Sequence, residues 1–129
     1  RRGNSMVDGV IPIHADLLDA EATASSLAGL RPEIVIITAW IRKDTEAENI
    51  AVNSATLRSL FAALEPDGGV RHVALLTGLK HYLGPFEDYA TGVKAETPFK
   101  ESEPRLPSPN FYYAEEDELF AAAGRMGFT

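Results

Sequence analysis

Residues 71–86 read RHVALLTGLKHYLGPF. The first half is a plain β-branched and leucine run. The second half breaks abruptly into Lys80, His81 and Tyr82 and stops at Gly84-Pro85. A short apolar run bounded by turn residues reads as a strand buried on both faces, and such strands usually sit in parallel sheets. Two other segments share the pattern: VIPIHA at 10–15 and EIVIITAW at 33–40. With RHVALLTG at 71–78 they make three expected strands.

Helical segments alternate with them. LLDAEATASSLAGL (17–30) places Leu18, Ala22, Leu27 and Leu30 at a loose helical period, with Gly29 as the C-terminal stop. TEAENIAVNSATLRSLFAALEP (45–66) is stronger. Thr45 with Glu48 makes a capping box, Ile50, Leu57, Leu60, Phe61 and Leu64 share one face, and Pro66 closes the run. A last helix is expected over 111–123, anchored by Leu119, Phe120 and Ala123. Its acids Glu115, Glu116 and Asp117 stand near the start, where the helix dipole favours them. Between the third strand and this helix, residues 84–109 form a long loop with five prolines, a length that usually marks function or disorder.

Strand–helix–strand–helix–strand is the order of an α/β, doubly wound parallel sheet, and 129 residues suffice for one such domain. These sheets bind ligands outside the carboxyl ends of their strands. Three polar groups fall there: Asp16, Thr38-Ala39-Trp40 and Thr77-Gly78-Leu79-Lys80. The formal net charge of −7 argues against nucleic acid or an anionic membrane as the main partner. Cysteine is absent, which excludes disulfides and thiolate metal sites, and the three histidines lack metal-ligand spacing. No apolar run reaches spanning length, and Arg1-Arg2 has no apolar stretch behind it to make a secretory signal. The expected location is the cytoplasm.

Taken singly, these residues have plain readings. A lysine at a strand end is most often a solvated charge. His14 and His72 read as hydrogen-bonded structural histidines, the acids of 114–118 as a solvated helix start, and Tyr112-Tyr113 as core and rim. Several catalytic templates are missing: no nucleophile elbow, no phosphate-binding loop, no G-x-G-x-x-G, and no Tyr followed four places later by Lys.

Combinations are more specific. TGLKHYLGPFE at 77–87 and NFYYAEED at 110–117 closely resemble two blocks of the progesterone 5β-reductase and iridoid synthase-like group of short-chain dehydrogenases/reductases, T-G-x-K-H-Y-x-G-P-F-E and N-F-Y-Y-x-x-E-D. The ADLLD turn (15–19), TAW (38–40) and TEAENIAVN (45–53) support the match, which runs over essentially the whole chain. The resemblance implies a Rossmann-type fold, with Tyr112 as catalytic tyrosine and Lys80, 32 positions before it, as catalytic lysine. It further implies that Asp16 and Leu17 lie near the adenine and that Thr38, Ala39, Trp40 and Thr77 face the cofactor. Arg1 and Arg2 would meet the adenosine 2′-phosphate, which favours NADP(H). The implied substrate is a small enone, its conjugated C=C bond reduced by hydride; a homodimer remains open. A phenol aimed at the carbonyl oxygen would stabilise the enolate as it forms, and an ordinary phenol, with a pKa of about 10, is still a donor at neutral pH. Lys80 would add positive charge beside it.

Relative to that family the chain lacks the glycine-rich first turn, and GRMGFT (124–129) stops where a further strand is due. The expectation is therefore a single partial NAD(P)-binding domain over 1–129, its first two strands and its C-terminal half missing. In the strand order 3-2-1-4-5, VIPIHA would lose its neighbours and detach or pair out of place. Two alternatives stay open on the same fold: carbonyl reduction or nucleotide-sugar epimerisation, and a non-catalytic NADP-binding regulator. The 129 residues alone are expected to bind NADPH more weakly than the micromolar range. A fluorescence titration giving micromolar affinity or better would overturn this.

Overall fold

The computed structural model describes residues 8–86, 88 and 97–129. Arg1 and Arg2, and residues 87 and 89–96 of the proline-rich loop, lie outside the described residues. The elements run α1 (Ala20–Leu27), β1 (Ile34–Ile37), α2 (Glu46–Leu64), β2 (His72–Leu75), α3 (Lys80–Leu83) and α4 (Phe111–Met126). β1 and β2 pair in parallel, with Ile34 opposite His72 and Ile37 opposite Leu75. The fold is thus α/β with a small parallel sheet. None of its helices, among the described residues, is long and apolar enough to cross a membrane.

The chain end extends the sheet. The Val73 N–H donates to the Thr129 carbonyl at 2.9 Å, and the Thr129 N–H to the Arg71 carbonyl at 3.1 Å. Thr129 therefore lies along the far edge of β2, as a strand begun at GFT would. Gly127, at φ 76°, turns the chain out of α4 to reach that edge. Phe128 packs its ring on Phe61, with centroids 5.7 Å apart.

VIPIHA forms no strand. Residues 10–15 pair with nothing in the sheet, and Val10, Ile11 and Ile13 are exposed. The three-strand expectation is corrected to two, and the detachment expected for this segment is what the structure shows. A strand exists through its neighbour's hydrogen bonds, which an apolar pattern cannot supply. Burial on both faces is corrected too. Successive strand residues point to opposite sides. Val35, Ile37, Val73 and Leu75 face a core made with Leu57, Phe61, Leu64, Val70, Ala122 and Phe128. On the other side Ile34 and Ile36 stay 63% and 68% exposed. α2 and α4 cover one face only among the described residues.

The helices follow their local chemistry. α1 begins three residues later than expected. Asp16 folds 16–19 into a turn, its carboxylate accepting from the Leu18 N–H, and Asp19 caps the helix by accepting from Glu21 and Ala22. Leu18 and Leu30 consequently fall outside α1 and are exposed, while Gly29 takes φ 77° just past its end. α2 starts at the expected capping box, with Leu57, Phe61 and Leu64 buried. Its other face is polar and also buried. Asn53 binds both the N–H and the C=O of Ile41, at 2.8 and 2.9 Å, and Asn49 accepts from the Lys43 N–H at 2.8 Å. That face anchors the chain as it leaves β1.

Three readings of single side chains are corrected. Phe120 is exposed, and Ala122 takes the core position instead. His14 and His72 are exposed rather than enclosed in apolar strands, although His72 does keep a hydrogen bond, to the Thr129 hydroxyl at 3.3 Å. Glu115 is not a solvated acid: it is 2% exposed. Burial, reinforced by the charge of Glu116, pushes its carboxyl up to about 7.

Two predictions follow from this packing. Phe61→Ala removes a ring from the centre of the core and is expected to cost about 3–5 kcal/mol, read as the urea midpoint; a loss under about 1 kcal/mol would contradict the core described. Glu115 ionises near 4.5 when unfolded and near 7 when folded. Between those values the unfolded chain has already released the proton that the folded chain keeps. Stability contributed by the protonated form therefore falls as pH rises through this window, by about 3 kcal/mol in all. Glu115→Gln should flatten that slope and unfold at higher urea than the parent at pH 8. An unchanged slope would place the pH dependence elsewhere.

Candidate active site

β2 ends at Leu75, and the next residues carry the polar group seen in the sequence. Leu76 donates its N–H to the Ile37 carbonyl, which holds this exit against β1. Lys80 opens the short helix α3 and is 4% exposed, unlike the usual solvated lysine at a strand end. Its ammonium pairs with the Glu46 carboxylate. It also lies 4.4 Å from the Phe86 ring centre and 4.6 Å from that of Phe111, which are cation–π distances. Trp40 stacks on Phe111 at 4.9 Å and approaches Phe86 at 6.3 Å. The cation thus sits among aromatic rings from three parts of the chain.

The start of α4 is fastened to the same place. Asn110 caps it by accepting from the Tyr112 N–H at 3.0 Å, and donates its amide to the Lys80 carbonyl at 2.8 Å. Glu46 accepts from the Phe111 N–H at 2.6 Å. The three aromatics of NFYY then diverge around the helix. Phe111 turns to Lys80. Tyr112 reaches the end of β2: a Cβ placed on Gly78 would lie 3.4 Å from its hydroxyl, so that hydroxyl rests against the glycine backbone. Tyr113 donates to the His81 carbonyl and accepts from the Leu106 N–H at 3.0 Å. Arg105 covers the Tyr113 ring and binds Glu116 and Asp117 at 2.8 and 2.7 Å. His81 meets Glu116 at 3.3 Å through Nδ1. His81 therefore joins α3 to α4.

The residues expected near a cofactor are partly assembled. Asp16, Leu17, Ala39 and Trp40 line one cavity of about 230 Å³, together with Ile41 and Thr56. Mostly apolar walls with one acidic residue suit a flat heteroaromatic ring, and the volume suits a part of a dinucleotide rather than the whole. Thr77 lines a different, open groove of about 490 Å³ with Gly78, Leu79 and Tyr82. Thr38 is exposed at the end of β1 and lines neither.

Sequence reasoning missed Glu46, Asn110 and the two phenylalanines beside Lys80. Phe86 and Phe111 stand inside the recognised blocks, so their position was a signal. Glu46 offers none. It shares the first turn of α2 with Glu48; Glu48 turns back to Thr45, while Glu46 turns to Lys80.

No protein-family model matches the chain. Individual relatives do. The chain is 43% identical over 110 residues to a 3-oxo-Delta(4,5)-steroid 5-beta-reductase of Arabidopsis thaliana, covering 84% of this chain and 28% of that protein. It is 40% identical over 113 residues to an (S)-8-oxocitronellyl enol synthase of Camptotheca acuminata, covering 86% and 29%. A third relative, an (S)-8-oxocitronellyl enol synthase of Nepeta racemosa, is 39% identical over 106 residues, covering 81% and 26%. The chain spans less than a third of the length of these relatives. Over the residues it spans, the chain is thus similar to a steroid 5-beta-reductase and to 8-oxocitronellyl enol synthases, the group that the two sequence blocks resemble.

Proposed function

We propose that the protein carrying these residues is an NADP(H)-dependent ene-reductase built on a doubly wound, Rossmann-type domain, and that it works in the cytoplasm on a small enone. The observation that carries this reading is the approach of the Tyr112 hydroxyl to Gly78, in the same segment that bears Lys80. The names of the relatives point the same way: one acts on a 3-oxo steroid with a Δ(4,5) double bond, the other yields an enol.

The bound cofactor supplies the hydride that adds to the β-carbon of the enone. Charge then develops on the carbonyl oxygen, and this chain's part is to meet it. Tyr112 donates a hydrogen bond to that oxygen as the enolate forms, a contribution that grows with the charge. Lys80 supplies a cation held at a fixed place by Glu46 and two ring faces. In so dry a setting a charge acts more strongly than in water. Asp16 and Leu17 would lie near the adenine, in the cavity they share with Ala39 and Trp40; Thr38 and Thr77 would face the rest of the cofactor, and Arg1 and Arg2 its 2′-phosphate.

Tyr112→Phe in the full-length protein keeps the ring and removes the donor. The expected outcome is a kcat for enone reduction lowered roughly 100-fold or more, with the fold intact by circular dichroism. An unchanged rate would remove Tyr112 from the mechanism. Parallel assays with cyclic enones and nucleotide sugars separate this reading from an epimerase.

A further inference from the structure

Glu46 uses both oxygens of its carboxylate. Oε2 pairs with the Lys80 ammonium, and Oε1 accepts the Phe111 N–H at 2.6 Å. Phe111 directly precedes Tyr112. Asn110 makes a matching pair of bonds on the other side, to the Lys80 carbonyl and the Tyr112 N–H. Lys80 is thus gripped at its backbone and at its charged end, each time by a residue that also holds the first turn of α4.

We propose that Glu46 is a positioning residue for enone reduction: its carboxylate fastens the Lys80 ammonium to the start of α4 and so sets the cation relative to the Tyr112 hydroxyl. The proposal rests on the roles given above to Lys80 and Tyr112. Burial supports it. The two side chains are 3% and 11% exposed, and Phe86 and Phe111 close over the cation. A buried ion pair contributes little net stability compared with a packed apolar pair, so stability alone does not account for one here. It does hold a charge in one place, which a catalytic lysine requires. Of the two acids in the first turn of α2, only Glu46 faces this site; Glu48 completes the capping box with Thr45.

The test uses the full-length protein and a cyclic enone with NADPH. Glu46→Gln keeps an oxygen for the Phe111 N–H but sets an amide against a buried ammonium. The expected result is a kcat lowered roughly 10- to 100-fold at pH 7 with the enone KM changed less than about threefold. Glu46→Asp keeps the charge and shortens its reach: kcat falls only severalfold. Lys80→Met is the reference. On that background Glu46→Gln should cost nothing further, because the two act as one unit.

Wild-type kcat in Glu46→Gln, with Lys80→Met impaired, would overturn the proposal and leave the roles of Lys80 and Tyr112 standing. Wild-type activity in Lys80→Met would overturn those roles and the proposal with them. Should Glu46→Gln not fold, Glu46→Asp decides alone. A kcat lowered at an unchanged enone KM supports the proposal, and a wild-type kcat overturns it.

Discussion

An ammonium shut away from water must be met by an opposite charge. At Lys80 that requirement ties three helices together. The counter-charge comes from the first turn of α2, the ring faces come from Phe86 and from α4, and the lysine itself opens α3. The carboxylate that neutralises it also ends the search of the Phe111 N–H for an acceptor. Helix starts leave such donors unsatisfied, and a buried one costs free energy until something accepts from it. One side chain answers both needs, at the point where the beginnings of α2 and α4 lie side by side.

From that shared point α2 and α4 run alongside each other over one face of the sheet. Arg58 reaches Glu118, and Arg125 lies 3.7 Å from Glu65 at the far ends. Such exposed pairs add little. The burial of Leu57, Phe61, Leu64 and Ala122 against β1 and β2 carries the energy. α2 has a second role on its polar side. Asn49 and Asn53 satisfy the backbone that leaves β1, and this sets where Trp40 stands. Trp40 then contributes both to the aromatic cluster around Lys80 and to the cavity shared with Asp16 and Leu17. One helix therefore positions both halves of the candidate site.

Where burial and local chemistry point the same way, the elements were legible from the residues. Thr45 and Glu48 announced the start of α2, and its apolar face was correctly read. The start of α4 at 111 was also found, though the helix runs a turn further, to Met126. VIPIHA was misread because an apolar run records a demand for cover without saying whether a neighbouring strand is present. Glu115 was misread because an acid near a helix start looks the same in sequence whether it faces solvent or a packed partner. Phe120 was misread and Ala122 passed over for a similar reason: residues two apart on a helix lie about 200° apart, and only the neighbour decides which is inside.

The sequence by itself pointed to the relatives, through two blocks in order and in register, and to the alternation of α1, β1, α2, β2 and α4. It also named Lys80 and Tyr112 as the pair to examine, because blocks of that length carry more information than any lone motif. Only the tertiary structure decided what surrounds Lys80. Glu46 lies 34 positions before Lys80 and 65 before Phe111, and no periodicity along a chain encodes a contact across such distances. That contact exists because packing α2 and α4 on one sheet face brings their first turns together, and there a buried cation could not remain unpaired.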